Sequence, residues 1–442
     1  MTGHPESSAE GRKERRGTHL RLRITRITTT SMSEQPIVPS QTERVRMTKK
    51  QKQFLFFGII GIALYLVSTG ISYGIFSSLG KTAVIQKTPT TLAVPTKKPT
   101  RHFATDASVP KDQMCPLNGE MYTAKEKEIW VKRRPLAVMI ENHQEARPQS
   151  GLSYADVVYE SIAEGGISRF MAVFYCGIST GNVLLAPVRS ARTYFLPWVL
   201  EYDALYNHVG GAGNCNDDTV DERAKALCQI DQYRIKDMDQ FGISFPTCYR
   251  NYDRLDHPVA TEHTMVCQTD KLFTLAEKKG WTNVDSKGVA WDKKFEPWKF
   301  KDDAKEADRG TVGSISFVAW KGYEKDYGVQ WTYDKATNSY KRNNGGSPHK
   351  DLETDEQLTA KTVIIQFAKE TGPVDDHMHL LYNNIGTGTG LLFEDGKSEK
   401  ITWEKDDRSS RTKFIGANGK EVQLTRGQIW VHMLPIGTVV TY

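Results

Sequence analysis

No cysteine precedes residue 115 in this chain of 442 residues, and the six that follow contain no Cys-X-X-Cys pair. The first absence leaves nothing near the N-terminus to carry a lipid. The second leaves a zinc ribbon or a thioredoxin-type site without support. No charged residue interrupts residues 54–76, the run FLFFGIIGIALYLVSTGISYGIF. Elsewhere long apolar runs are missing, and 38% hydrophobic residues with a mean hydropathy of −0.51 exclude a bundle of membrane helices.

That single run is 23 residues long, enough as a helix at about 1.5 Å per residue to cross about 30 Å of hydrocarbon. Arg44, Arg46, Lys49, Lys50 and Lys52 flank it upstream. The positive-inside rule therefore predicts a single-pass cell-membrane protein with residues 1–53 in the cytoplasm and the bulk of the chain extracytoplasmic. The run exceeds the usual signal-peptide core of about 7–15 residues and no A-x-A site follows, so the anchor is predicted to stay uncleaved. Residues 1–53, rich in Arg, Ser and Thr, read as a disordered tail, with Met32 and Met47 as alternative starts. Residues 77–112, rich in Pro, Thr and Lys, read as an extended tether.

A formal charge of +6 and a pI near 8.8 invite a nucleic-acid reading. Residues 1–52, however, hold 12 Lys and Arg against 5 Asp and Glu, and the rest of the chain holds 47 against 48. The basicity belongs to the membrane-orienting flank, so nucleic acid is not an expected partner.

Cysteines 115, 176, 215, 228, 248 and 267 all fall on the extracytoplasmic side. Six allow 15 pairings. The crowding of the last four predicts bridges within 215–267, with buried free thiols as the alternative.

The predicted fold class is α+β behind one transmembrane helix. Residues 113–285 read as a mixed β-sheet with packed helices: strands at RPLAVMIEN, ADVVYESIA, ISRFMAVFYC and ALYNHVGG, helices around 125–131, at YFLPWVLEYDA, DDTVDERAKALCQ and KLFTLAEKKG. Polar text follows. Residues 308–442 then show short strands at 8–12-residue spacing, from TVGSISFVAW to QIWVHML, predicting a smaller, mainly antiparallel β unit.

Three stretches carry a resemblance: RRPLAVMIENHQEARPQSGLSYADVVYESIAEGGISRF, then APVRSARTYF with EYDALYNHVGG, and QLTAKTVIIQF through GTGTGLLFEDGKSEKITWEKDDRSSRTKF. Over about residues 114–435 the chain is similar to the YerB-type bacterial envelope proteins. The resemblance implies an N-terminal α/β part, a smaller C-terminal part and an envelope location, with no established activity. Many members are lipoproteins, from which this chain departs by its apolar run; the cysteine-rich insert at 215–267 is a second departure.

The densest polar cluster comprises Asn142, His143 and Arg147 after the first strand, Asp156, Glu160, Glu164 and Arg169 around the next two, then Arg189, Arg192 and His208. Such residues at strand ends lie where open sheets hold ligands. The arginines suit phosphate or carboxylate groups, and the carboxylates suit acid–base work or Mg²⁺. The competing reading is a salt-bridge network that braces the strand ends. Two functions follow: a module binding an acidic or phosphorylated cell-wall polymer or an envelope protein, with no cofactor identified, or a Mg²⁺-assisted phosphotransferase. The second rests on layout, because one anchor, an exterior α/β domain and Asp and Arg strands resemble the LytR-CpsA-Psr enzymes. Asp375, Asp376, His377 and His379 look like metal ligands, since His at i and i+2 share one strand face, but lack a further partner at fixed spacing. The glycines of VGGAG read as part of a helix start, and GTGTG reads as a turn. No local nucleophile signature is read, and cysteines that can form disulfides are poor candidates for a reactive thiol, so covalent hydrolase chemistry gains no support.

Overall fold

A computed structural model describes residues 108–442 except 180 and 244, and, nearer the N-terminus, residues 49, 50, 53, 56, 57, 59–63, 65 and 66, all of them helical. No described helix is long and apolar enough to cross a membrane. Most of the predicted anchor, the tail, the alternative starts and most of the tether lie outside the described residues. The chain divides into two units, Met1–Ala93 and Val94–Tyr442; the fold that follows is that of the second.

Its centre is a mixed sheet. The N-terminal segment supplies β1 (Leu136–Glu141), β2 (Val157–Ile162), β3 (Ser168–Phe174), β4 (Leu205–His208) and β5 (Lys236–Asp239). A second, antiparallel sheet is built from β6 (Ser314–Phe317), β7 (Val329–Asp334) and β8 (Ser339–Asn344). The chain then returns to the first sheet with β9 (Thr362–Thr371), β10 (Leu381–Asn383), β11 (Gly386–Glu394), β12 (Lys397–Lys405), β13 (Lys413–Ile415) and β14 (Ile429–Pro435). It ends at β15 (Val440–Thr441) beside β6.

The order of the large sheet is β13-β12-β11-β9-β14-β2-β3-β1-β4-β5, with β10 on the far end of β9. β14 runs parallel to both β9 and β2. The segments that read as two successive units therefore share one sheet, while β6–β8 and β15 belong to the antiparallel layer. The α+β class holds.

Both faces of the large sheet are covered, which is why its strands read as nearly unbroken apolar runs. Ala137, Met139, Tyr159, Met171, Val431 and Met433 face a layer containing α2 (Leu196–Glu201), with Trp198 fully buried. Val138, Ile140, Val158, Phe170 and Trp430 face the antiparallel sheet and α4 (Thr269–Lys278). Before them α1 (Ala124–Trp130) starts at a capping box made by Thr123 and Glu126, and α3 spans Ala226–Gln232.

Three local expectations need correction. GTGTG is the first half of β11, not a turn. A Cβ on Gly388 would sit 2.6 Å from the Trp403 ring across the ladder, so glycine here makes room for an aromatic cross-strand neighbour. The residues after VGGAG form turns and one 3₁₀ turn at Glu222–Ala224; the helix begins only at Ala226. Asp375 to His379 form a loop rather than a strand, closed by His379 Nδ1 and Asp375 Oδ2 at 2.8 Å.

The cysteines pair as Cys215–Cys228 and Cys248–Cys267, within the crowded stretch, and as Cys115–Cys176. None is free among the described residues.

Candidate functional site

Because β1, β2, β4, β9 and β14 are parallel and β3 is antiparallel to its neighbours, their C-terminal ends and the start of β3 share one edge. Nine of the ten predicted site residues fall at or near that edge, and they sort into separate networks.

Glu164 lies between two arginines. Arg169 Nη2 and Arg192 Nη2 donate to its Oε2 at 3.1 and 2.7 Å, and Arg192 Nε reaches Oε1. Arg169 Nη1 also donates to Ser190 O at 3.1 Å, and Arg192 Nη1 to Ala191 O at 2.6 Å. Burial would raise the Glu164 carboxyl, but Arg169 and Arg192 outweigh it and hold it at about 2. Burial and the like charge of Arg192 bring the Arg169 guanidinium down to about 10.

Arg189 Nε lies 3.1 Å from Glu141 Oε1, with about a quarter of the arginine side chain exposed. Glu141 also binds His263, whose ring stacks on His143 with centroids 4.8 Å apart. Asn142 is a junction: its Oδ1 accepts from Arg147 Nε, Gln149 Nε2 and Asn344 Nδ2, and its Nδ2 donates to Ser168 Oγ at 2.8 Å. Arg147 in turn lies over the Tyr327 ring. His208 is buried, with Nδ1 2.8 Å from Gly210 O and Nε2 2.9 Å from Asp237 Oδ1.

Glu160 points into the layer between the sheets. It receives Arg342 Nη2, Ser168 Oγ and Trp430 Nε1, with His432 Nδ1 at 3.1 Å. Burial would raise its carboxyl; Arg342 and His432 overcome that and hold it well below the usual range.

Asp156 does not join the others. It precedes β2, whereas Glu164 follows it, and four residues of strand put its Cα about 13 Å from that of Glu160. Its Oδ2 accepts from the backbone N–H groups of Tyr175 and Cys176 at 2.6 and 2.9 Å; Oδ1 accepts from Gly177 N and Asn118 Nδ2. Complete burial pushes this carboxyl up to about 7, against the pull of the three backbone donors. Asp156 clamps the chain beside the Cys115–Cys176 bridge. Asp156, Glu160 and Glu164 therefore cannot share one Mg²⁺, and Asp156 does not converge with Arg169, Arg189 and Arg192.

One nucleophile motif escaped the sequence reading. Residues 177–181, Gly-Ile-Ser-Thr-Gly, match G-x-S-x-G. Ser179 is buried in a turn after β3, and the next element is a two-residue strand, Leu184–Leu185, instead of the helix such an elbow requires. The cavity beside it, lined by Arg133, Asn182, Thr269, Asp270 and Phe273 among others, includes no histidine.

Glu141, His263, Arg342 and His432 belong to these networks and escaped the sequence reading. Glu141 carried a signal, as the last residue of the first apolar strand and the neighbour of Asn142. The others come from segments distant in sequence.

Residues 119–282 match the family described as "Protein of unknown function (DUF3048) N-terminal domain", and residues 318–431 match its C-terminal domain. The chain is 28% identical over 335 residues to "Putative lipoprotein YerB" of Bacillus subtilis (strain 168), covering 74% of this chain and 87% of that protein. The crystal structure of YerB from Bacillus subtilis superposes with a TM-score of 0.59 at 25% identity, over 75% of this chain and all of that one. With both halves matched in order across one continuous fold, the chain belongs to the DUF3048 family of YerB-like proteins.

Proposed function

We propose that this chain is an extracytoplasmic, membrane-held envelope protein that binds an acidic or phosphorylated envelope component at the strand-end edge of its large sheet. One observation carries the binding reading. Arg169 and Arg192 share a single carboxylate, Glu164, and Arg189, paired with Glu141, stands beside them partly exposed, so these three guanidinium groups face two carboxylates. Guanidinium groups fixed by backbone carbonyls are suited to planar anionic groups.

The envelope location rests on the similarity to "Putative lipoprotein YerB" of Bacillus subtilis and on the uncharged run at 54–76 with its basic flank. Phosphotransfer finds no support, because its proposed aspartate sits at the wrong end of β2.

Retention of the full chain on purified cell-wall and lipid-linked fractions tests the reading. Replacing Arg189 and Arg192 together with Ala should abolish retention while Asp156→Asn leaves it in any protein that folds. Unchanged retention of the double variant, or equal retention by an uncharged polysaccharide, overturns it.

A further inference from the structure

We propose that His143, Glu145 and His263 form a binding site for one divalent transition-metal ion of the Zn²⁺ type, with Glu141 fixing the ring of His263. The two histidines and Glu145 offer ligand atoms that all lie within 4.8 Å of one another.

His263 is the anchor. It ends the 3₁₀ turn Thr261–His263 and is buried. Its Nδ1 faces Glu141 Oε2 at 2.7 Å, so a proton on Nδ1 is donated to the carboxylate and the lone pair of Nε2 is left on the other side. There Glu145 Oε2 lies 3.7 Å away, close to the roughly 3.4 Å edge of a tetrahedron with ligands at about 2.1 Å. A carboxylate behind a histidine whose second nitrogen faces another ligand is the usual support of a metal-binding imidazole.

His143 supplies the third ligand. It caps the turn Gln144–Ala146, its Nδ1 accepting from Glu145 N at 3.3 Å, and its ring lies nearly parallel to that of His263, at 12°. Parallel rings cannot aim at one ion, so binding requires His143 to turn out of the stack. It is partly exposed and loses one long hydrogen bond in doing so. The Glu145 side chain is 58% exposed, which opens a route for the ion and a fourth position for water. Two imidazoles and one carboxylate favour Zn²⁺ over Mg²⁺ or Ca²⁺.

The site joins the loop after β1 to the cysteine-rich insert, whose Cys248–Cys267 bridge lies just beyond His263. It shares Glu141 with Arg189 but does not rest on the anionic-ligand reading.

The test is equilibrium dialysis of the chelator-stripped full chain in detergent against micromolar free Zn²⁺. One bound ion per chain is expected. Glu145→Gln and His143→Ala, both at solvent-facing positions, should each weaken binding at least about 10-fold, and Glu141→Gln about 10–100-fold. Because Glu141 and His263 are buried, the first two variants decide the matter. Zn²⁺ binding unchanged in both, as ions held at His377 and His379 would give, or no bound Zn²⁺ in the unmodified chain, overturns the proposal. Wall retention of the Arg189 and Arg192 variants reads the other site independently.

Discussion

Glu160 and Arg342 form an ion pair buried between the two sheets, with Arg342 Nη2 donating to Oε1 at 3.0 Å and to Oε2 at 2.8 Å. The guanidinium is fully buried and lies over the rings of Phe170, Trp331 and Trp430. The pair ties β2 to β8 across 182 positions of sequence.

Removing one partner leaves a buried charge uncompensated. Glu160→Gln should lower the unfolding free energy by about 3–5 kcal/mol. Combining it with Arg342→Met should cost less than the sum of the single changes, because both charges then disappear together. Urea denaturation of the four proteins measures the difference; strict additivity would show that the pair is not coupled.

His349 provides a pH-dependent contribution. Burial, then the charges of Arg342 and Arg147, push its imidazole well below the ordinary value. Its Nδ1 accepts from Arg342 and its Nε2 donates to Gln149 Oε1 at 2.6 Å, so the folded chain keeps it neutral. The unfolded chain takes up a proton near pH 6.5 and the folded chain does not, so stability falls as pH drops below that value, by up to about 1.4 kcal/mol per pH unit for one histidine. Burial also lowers His432, although Glu160 opposes it, and this adds in the same direction. Thermal melts from pH 7.5 to 5 should show a slope that His349→Asn reduces; an unchanged slope would remove His349 as its source.

Glu164 acts further into acid. Its carboxyl sits at about 2 when folded, below an unfolded value near 4.5. The stability it contributes is complete above about pH 4.5 and disappears as pH falls from there towards 2. Glu164→Gln should be less stable at neutral pH and flatter across that acid range, read by the same melts.

The Cys115–Cys176 bridge closes 61 residues and holds the segment that Asp156 clamps. Replacing both cysteines with Ser should cost about 2–5 kcal/mol. Non-reducing peptide mapping of the unmodified chain should find the three pairs 115–176, 215–228 and 248–267; a crossed pairing would contradict the fold at its N-terminal rim.

The membrane orientation is testable by labelling. A cysteine introduced at Thr18 in intact cells should resist a membrane-impermeant thiol reagent, while one at Ser108 should react. The reverse pattern would invert the topology read from Arg44 to Lys52.

Much of the fold was legible locally. The short apolar runs in RPLAVMIEN and ISRFMAVFYC mark strands whatever their partners, and Gly280 after KLFTLAEKK marks a helix stop. The fusion into one sheet was not legible, since Ile429 pairs with Val157 across 272 residues and no local pattern records such a partner. For the site, the gathering at strand ends followed from residue order alone. The same order held the clue to Asp156, which precedes its strand while Glu164 follows it. The links from Glu160 to Arg342 and from Glu141 to His263 depend on tertiary packing.

The central position of β14 sets a schedule for making this protein. Residues 429–435 fill the slot between β9 and β2, so until they have been synthesised the sheet exists as two halves with open hydrogen-bonding rims. A chain delivered through a membrane thread by thread would have to cross as far as residue 435 before it could close. A stop codon just before residue 429 would leave two sticky borders in place of a closed sheet.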